Sequence, residues 1–442
     1  METHGHPGYD RRAGWRAAWA GMTALALAMG LGRFAFTPML PIMLREGGLD
    51  LPGGGVLASL NYLGYFLGAL SCAWLRVRPG WMVRGGLLAT ALLLLGMGLA
   101  HGFGAWAVLR AAAGVASAWT MVFASGWALR RLAEAGAPAL LGVVYAGPGI
   151  GIVASGLLAG AIGHWGSQAG WIAFGLVSLV LVAVVWPRFH GREAGAASAG
   201  LGASVRAGAV AAPGVARGTS PGIAPGPAPE IAPKSAPQAA SEMAPDSASN
   251  AAPDNSPARA RTEARWLIGL YGIAGFGYII SATFLPVIAR HALPGSAWPN
   301  VFWPLVGVAV TIGSVIGARA PVAWDNRLLL AACYGLQALG VLLSVVWPTV
   351  AGFLLASLLL GLPFTALTMF AMRDARRLRG NDAAGLIGNA TASYGLGQIL
   401  GPLLAAPLAE RTGSFALPLL AAAGALALGG ILFAGLSARR RQ

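Results

Sequence analysis

The chain has 442 residues, of which 56% belong to the apolar set AVILMFWYC and only 10% are charged. Soluble domains carry about 25% charged residues, so this composition excludes an ordinary water-soluble protein. The formal net charge is +15, but the arginines stand in short groups between apolar runs, which excludes a nucleic-acid partner. The two cysteines, Cys72 and Cys333, lie in or beside apolar runs and offer neither a disulfide framework nor a metal site.

Apolar runs long enough to cross a bilayer occur twelve times along the chain. Each is expected to form a helix, because only a helix satisfies its own backbone in lipid over such a length. The predicted spans 1 to 12 lie at 17–44, 53–75, 82–101, 104–129, 138–163, 168–187, 266–289, 299–318, 327–347, 349–372, 383–409 and 414–437. We therefore predict an all-α integral membrane protein in which the first apolar run is a retained span.

A long polar segment divides these spans six and six. Residues 188–265 are rich in Ala, Pro, Ser and Gly and contain almost no large apolar side chain, so we predict a disordered cytoplasmic linker. The other units are an N-terminal tail at 1–14, a six-helix half at 15–187, a second six-helix half at 266–437 and a basic tail at 438–442.

The arginine distribution predicts the orientation of the spans. With the N-terminus inside, 25 of the 30 Lys and Arg residues fall in cytoplasmic segments, three fall in outer loops and two fall inside spans. This follows the positive-inside rule and predicts that both termini are cytoplasmic. We expect a monomer whose partners are the lipid bilayer and a small-molecule substrate.

The two halves repeat each other in sequence. The segment from Gly32 to Arg45 ends span 1 and the segment from Gly277 to Arg290 ends span 7; at an offset of 245 the glycine, a Leu-Pro pair and the arginine coincide. Two repeats in one orientation place an axis along the membrane normal and a site between the halves near the midplane. This arrangement is typical of secondary transporters.

Three motifs carry a resemblance to the major facilitator superfamily. They are Leu31-Gly32-x5-Pro38-x2-Pro41 in span 1, Leu109-Arg110-x3-Gly114 in span 4 and Gly147-Pro148-Gly149-Ile150-Gly151 in span 5. The strings GRFAFTPMLPIM, NYLGYFLGAL, GFGYIISATFLP and SYGLGQILGP are similar to the bacterial YbfB/YjiJ-type branch. The resemblance implies the major-facilitator fold, with twelve transmembrane helices in two six-helix pseudo-repeats, in a bacterial inner membrane. The loop after span 2 departs from the family pattern, since it lacks the expected aspartate.

Two arginines inside predicted spans are the first candidates for substrate contact. Arg33 lies about 18 Å from Arg45 along the helix, and Arg110 lies about 13 Å from His101, at 1.5 Å per residue. A buried charge costs about 3 kcal/mol on insertion scales, so each arginine either binds an anion or caps carbonyl groups of a neighbouring helix. The other predicted substrate contacts, for which packing between helices is the alternative, are Asn61, Tyr62, Tyr65, Tyr278, Asn389, Tyr394 and Gln398.

Several prolines and glycines are predicted to bend or gate the helices, because proline removes a helical hydrogen bond. These positions are Pro38, Pro41, Gly147, Pro148, Gly149 and Pro286. The glycine run of span 5 is not a phosphate loop, since no strand precedes it and no lysine follows. No acidic residue is expected inside a span and no buried carboxylate is expected, which disfavours proton coupling through a side chain.

These observations predict a secondary transporter that moves a small organic solute by alternating access, and the arginines favour an anion. An efflux carrier for drugs or metabolites is one alternative, favoured by analogy through the Gly-Pro motif. A transporter-like sensor that signals through a partner is another, suggested by the long linker alone. An intramembrane enzyme is disfavoured, because the chain offers no paired nucleophile and base and no metal cluster, and no cofactor is expected.

Overall fold

The computed structural model describes residues 10–75, 77–189, 257–321, 323–380 and 383–441. Regular structure within these ranges is helical throughout, with no strand. Most of the predicted linker, from residue 190 to residue 256, lies outside the described ranges.

The described part of the N-terminal half contains seven α-helices. They are α1 (Arg11–Leu25), α2 (Phe36–Arg45), α3 (Leu51–Ser71), α4 (Pro79–Leu99), α5 (Phe103–Glu134), α6 (Leu141–Ile162) and α7 (Ser167–Val185). A π-helix at Ala26–Leu31 follows α1 directly, and short 3-10 helices lie at Pro138–Leu140, Gly163–Trp165 and Trp186–Phe189. Predicted span 1 therefore corresponds to α1, the π-helix and α2 together.

The described part of the C-terminal half also contains seven α-helices. They are α8 (Pro257–Ala292), α9 (Pro299–Arg319), α10 (Asn326–Val346), α11 (Val350–Gly361), α12 (Pro363–Arg379), α13 (Ala383–Thr412) and α14 (Ala416–Arg441). Predicted span 10 corresponds to α11 and α12, which are separated at Leu362. The separation falls immediately before Pro363, because proline has no backbone N–H with which to continue the helical hydrogen bonds, although Leu362 itself keeps helical geometry.

Ten helical stretches in the described ranges are long and apolar enough to cross a membrane, so the chain is a multi-pass membrane protein. Helices α3 and α13 are not among the ten, although they lie where spans 2 and 11 are predicted and are 21 and 30 residues long. Polar residues such as Asn61 and Gln398 lower the mean hydropathy of these two helices. The count of twelve spans and the pseudo-repeat therefore stay predictions.

Two helices extend beyond the apolar runs that predicted them. Helix α8 begins at Pro257 and so includes the last nine residues of the range assigned to the linker. Its first turns are charged but consist largely of Ala, Arg and Glu, which are good helix formers that an apolar window does not detect. Helix α12 likewise continues to Arg379, and Asp374 in its last turns is only 1% exposed. The expectation that no carboxylate is buried is therefore wrong for Asp374.

Charged side chains join α8, α10, α12 and α14 at one end, on the side of the protein that the arginine distribution predicts to be cytoplasmic. We call this predicted side inner and the opposite side outer. We call Glu263, Asp325, Arg327, Asp374, Arg377 and Ser437 the inner charge cluster. Arg327 is 2% exposed and donates to Glu263 at 2.7 Å and to Asp374 at 3.5 Å. Its Nη1 donates to the backbone oxygen of Leu436 at 3.3 Å. Because these partners satisfy the buried guanidinium from three sides, the cluster fixes the four helices against one another.

Asp325 in this cluster caps the N-terminus of α10. Its carboxylate accepts a hydrogen bond from the backbone N–H of Arg327 at 2.9 Å and another from the hydroxyl of Ser437. Burial alone raises the pKa of Asp325, but these hydrogen bonds and the guanidinium groups of Arg377 and Arg327 outweigh it and lower the pKa below its ordinary value. The stabilisation that Asp325 contributes is therefore present at neutral pH and is lost as the pH falls through this lowered pKa.

The π-helix packs directly against the glycine run of α6. A Cβ at Gly151 would overlap the backbone of Ala26, and a Cβ at Gly147 would overlap the backbone of Met22. Only glycine at these positions allows the two backbones to meet. Gly149, between them, approaches Thr311 of α9, so the same run also contacts the C-terminal half.

The orientation of the helices can be tested with single cysteines, because both native cysteines are buried. Since the arginine distribution follows the positive-inside rule, Gly48→Cys and Ala297→Cys should react with an impermeant maleimide in intact cells. Glu134→Cys and Arg376→Cys should react only after the membrane is permeabilised. A reproducible reversal at any of these positions would contradict the predicted orientation.

Removing the central cation of the inner charge cluster should destabilise the protein. Arg327→Gln removes the guanidinium that pairs with Glu263 and Asp374, and breaking a buried ion pair in this way costs about 3–5 kcal/mol. We expect a clearly lower midpoint of thermal unfolding for the purified protein in detergent, followed by tryptophan fluorescence. Arg376→Gln, an exposed position on α12, is the matched control and should unfold like the wild type. Equal midpoints for the two variants would contradict the assignment.

Candidate functional site

Span 1 is not a continuous α-helix at the depth where Arg33 lies. The backbone N–H of Gly32 bonds to the oxygen of Leu27 at 2.8 Å, five residues back, as in a π-helix. The N–H of Thr37 then bonds to the oxygen of Phe34 at 3.2 Å. The carbonyl group of Arg33 therefore loses the partner that it would have in an α-helix. A backbone oxygen without a partner is costly in a membrane interior, so the break requires another donor.

Arg110 of α5 supplies that donor. It is 2% exposed, and its two terminal nitrogens donate to the backbone oxygens of Gly32 at 3.5 Å and Arg33 at 3.3 Å. Its guanidinium also lies 4.6 Å from the centre of the Phe36 ring. The backbone oxygen of Arg110 in turn accepts a hydrogen bond from Asn61 of α3 at 2.9 Å. Arg110 thus takes the second of its two predicted roles, the capping of carbonyl groups, and Asn61 holds its helix in place.

Arg33 projects from this break into the interface between the two halves. Its Nη2 donates to Oε1 of Gln398 at 2.7 Å, and Nε2 of Gln398 donates to the hydroxyl of Tyr278. The guanidinium carbon lies 4.2 Å from the ring centre of Tyr65 and 5.0 Å from that of Tyr62. We call these five residues the Arg33 cluster. Five of the nine predicted substrate contacts are therefore neighbours in space, drawn from both halves.

The positive charge of the Arg33 cluster has no anionic partner. Arg33 is 5% exposed and its Nε has no hydrogen-bond partner. The ion pairs found in the described ranges involve neither Arg33 nor Arg110. The surrounding groups are a neutral amide and aromatic faces, which attract a cation through the quadrupole of the ring but do not neutralise it. In the same ranges no group of three or more His, Cys, Asp or Glu could hold a metal ion.

Three hydrogen bonds join the halves on the outer side of Arg33. They link Thr37 Oγ1 to the oxygen of Ala282 at 2.9 Å, Ser59 Oγ to the oxygen of Ile399 at 2.8 Å, and the hydroxyl groups of Tyr62 and Thr283 at 3.0 Å. Thr37 and Ala282 are 245 positions apart, which is the offset of the sequence repeat. Positions that the predicted repeat makes equivalent therefore meet at this interface.

Aromatic rings continue from the cluster into the C-terminal half. The Tyr271 and Tyr394 rings are stacked at 4.6 Å, Tyr394 and Tyr278 are stacked at 5.8 Å, and Phe364 meets Tyr278 edge-on at 5.2 Å. We call these four rings the aromatic array; Tyr394 and Phe364 are only half-buried. The sequence prediction missed Tyr271 and Phe364. Tyr271 could have been found from its spacing. It precedes Tyr278 by seven residues and therefore lies on the same face of the helix.

One predicted contact, Asn389, does not join the site. It is exposed on α13 and precedes Gln398 by nine residues, which is about 13 Å along a helix. An exposed amide at this position faces water more favourably than lipid. Asn389 therefore lies toward the inner end of the interface rather than in the Arg33 cluster.

The predicted bending positions have different local settings. Pro38 lies in the first turn of α2, where its missing N–H is tolerated, and Pro41 lies inside α2. Helices α6 and α8 continue through Pro148 and Pro286. The interruption of span 1 consists of the π-helix and the turn at 32–35, and it precedes Pro38 and Pro41. A bending or gating role for the six positions stays a prediction.

Comparison with known proteins gives one family. A family model described as "Uncharacterised MFS-type transporter YbfB" matches residues 25–214 and 237–434. The two matched segments cover most of both helical halves, and the gap between them falls inside the predicted linker. A search of curated proteins found no match.

Arg110 should be needed for stability rather than only for ligand affinity. Arg110→Leu removes the donors for two carbonyl groups, and each hydrogen bond to a charged group contributes about 1.5–3 kcal/mol. We expect Arg110→Leu to lower the thermal unfolding midpoint clearly and Arg110→Lys to lower it less, since one ammonium cannot reproduce the fork of a guanidinium. Arg131→Gln, a partly exposed position on the same helix, is the control. An Arg110→Leu variant as stable as the control would overturn the capping role.

Proposed function

The chain belongs to the MFS-type transporters of the YbfB family, and on this premise we propose that it is a secondary transporter that moves a small organic anion by alternating access. Membership of the family supports secondary transport. The anionic nature of the substrate rests on the Arg33 cluster, and the transport mechanism rests on the way that the two halves share this cluster.

The observation that carries the proposal is the buried, uncompensated charge of Arg33. A charge removed from water without an ionic partner is unfavourable by several kcal/mol even after relaxation, on the order of 3 kcal/mol on insertion scales. A bound anion would offset this cost, because a charge-assisted, two-point contact with guanidinium is among the strongest hydrogen-bonded pairs. The oxygen of Gln398 occupies one point of that contact and offers only a partial charge.

The position of the cluster supports alternating access. Arg33, Tyr62 and Tyr65 come from the N-terminal half, whereas Tyr278 and Gln398 come from the C-terminal half. The cross-half hydrogen bonds on the outer side of Arg33 separate the cluster from the outer surface. On the inner side Tyr65 and Tyr394 are half-buried and Asn389 is exposed. This arrangement corresponds to a carrier that faces inward, and breaking the outer bonds would open the other route.

Replacing Gln398 with glutamate tests the need for an anion without requiring a known substrate. Gln398→Glu places a carboxylate within reach of Arg33, so we expect its thermal unfolding midpoint to equal or exceed that of the wild type. Gln337→Glu is the matched control, because Gln337 is an equally buried amide of the same half with no arginine among its described partners. This control should be destabilised by its unpaired charge. Equal losses of stability in the two variants would contradict the electrostatic argument.

The same variants test transport in proteoliposomes that contain the full chain. Uptake of a panel of labelled organic anions should be measurable with wild-type protein and should fall sharply in both Gln398→Glu and Arg33→Lys. The first variant supplies a competing internal anion, and the second keeps the charge but loses the planar fork. Equal uptake of anionic and neutral analogues by wild type and Arg33→Lys would instead favour an efflux carrier without charge selection.

A further inference from the structure

We propose that the transported anion is an aromatic monocarboxylate, meaning a planar ring with one carboxylate and no ammonium group. This inference rests on the proposed function, since it specifies the anion that the Arg33 cluster receives. Three features carry it: the number of free cationic donors, the charges around them and the rings that border the site.

The free donors of the site match one carboxylate. Nε and Nη2 of Arg33 lie along one edge of the guanidinium plane; Nε has no partner and Nη2 bonds only to the amide oxygen of Gln398. A carboxylate that replaced this oxygen would bond to both nitrogens at once, in the two-point geometry that guanidinium favours. Arg110 cannot offer a second two-point contact, because its terminal nitrogens bond to backbone oxygens and only its buried Nε is without a partner. A phosphate or a dicarboxylate would therefore bury a second anionic group for which no guanidinium edge is free.

The absence of carboxylates excludes an ammonium group on the substrate. No ion pair within the described ranges reaches the Arg33 cluster, and the polar atoms near it belong to neutral amide and hydroxyl groups. An amino acid would place its ammonium group close to Arg33 with no carboxylate to balance it. Burial of two such like charges is unfavourable, so zwitterions should bind weakly.

The aromatic array borders the position that the carboxylate would take. Gln398 bonds to Tyr278, and the ring of Tyr278 contacts Tyr394 and Phe364. A substrate whose carboxylate displaces the Gln398 oxygen therefore extends toward these two half-buried rings, which have free surface. Aromatic pairs in stacked or edge-on geometry are more favourable by about 0.5–1.5 kcal/mol than their buried area alone predicts. A flat aromatic substrate ring gains this additional stacking energy, whereas a saturated ring of similar size does not.

The experiment compares benzoate with cyclohexanecarboxylate, which has the same charge and a similar size but no aromatic ring. Binding to the purified full chain in detergent at neutral pH is measured by calorimetry. We expect benzoate to bind about fivefold more tightly, from a stacking preference near the middle of the measured range. Phenylalanine, benzamide and inorganic phosphate should show little binding.

Two phenylalanine variants assign the preference to the aromatic array. Phe364→Leu should lower the ratio of the two affinities measurably, because it removes one of the two half-buried rings that border the site while Tyr394 remains. Phe415→Leu is the same change at a half-buried ring that contacts Phe284 instead of the cluster, and it should keep the wild-type ratio. A ratio that is unchanged in Phe364→Leu would overturn the role of the array.

The outcomes separate this inference from the proposed function. If both carboxylates bind equally well and both are lost in Arg33→Lys, the site binds anions but the aromatic preference is wrong. If neither carboxylate binds, or if Arg33→Lys binds both as the wild type does, the assignment of Arg33 as the anion contact fails as well. If phenylalanine binds as tightly as benzoate, the exclusion of an ammonium group is wrong.

Discussion

The hydrogen bonds from Arg110 to the carbonyl groups of Gly32 and Arg33 are the interaction on which the rest of the site depends. A helix in lipid can open its backbone only if another donor satisfies the oxygens that are released. Arg110 meets this requirement with two donors in a fixed plane, and Asn61 anchors the helix that carries it. The opening turns the chain at Arg33 so that its side chain reaches the opposite half. Without the cap, the released oxygens of Gly32 and Arg33 would lose the donors that the break requires.

The predicted internal repeat offers an account of the cross-half character of this site. At the sequence offset of 245 residues Tyr278 corresponds to Arg33, and Gln398 bonds to both. One half thus supplies a cation at a sequence position where the other supplies a phenol. The difference between the two side chains makes the interface electrically asymmetric, and such a site would distinguish the two ends of a bound solute.

Much of this site follows from elementary sequence reasoning, and the reasons are specific. Arg33 and Arg110 could be predicted because charged residues stand out in an apolar run, and Tyr62 and Tyr278 because polar side chains in a span avoid lipid. The π-helix could not be predicted, since it depends on α6 approaching through Gly147 and Gly151 and on a donor from α5. Phe364 was missed because one phenylalanine among many apolar residues carries no signal until the neighbouring rings are known.

At the inner end of the C-terminal half, sequence reasoning again missed residues that the fold brings together. Their pairing has a mechanical consequence. Asp374 and Glu263 lie on helices that extend past their apolar runs, so hydropathy assigned them to loops, although Arg327 pairs with both. These pairs resist shear, because a small sliding of one helix past another separates charges that are buried together. The corresponding loop of the N-terminal half, after α3, contains arginine but no acidic residue. A force applied across the interface would therefore meet the four joined helices of the C-terminal half as one stiff unit at this end.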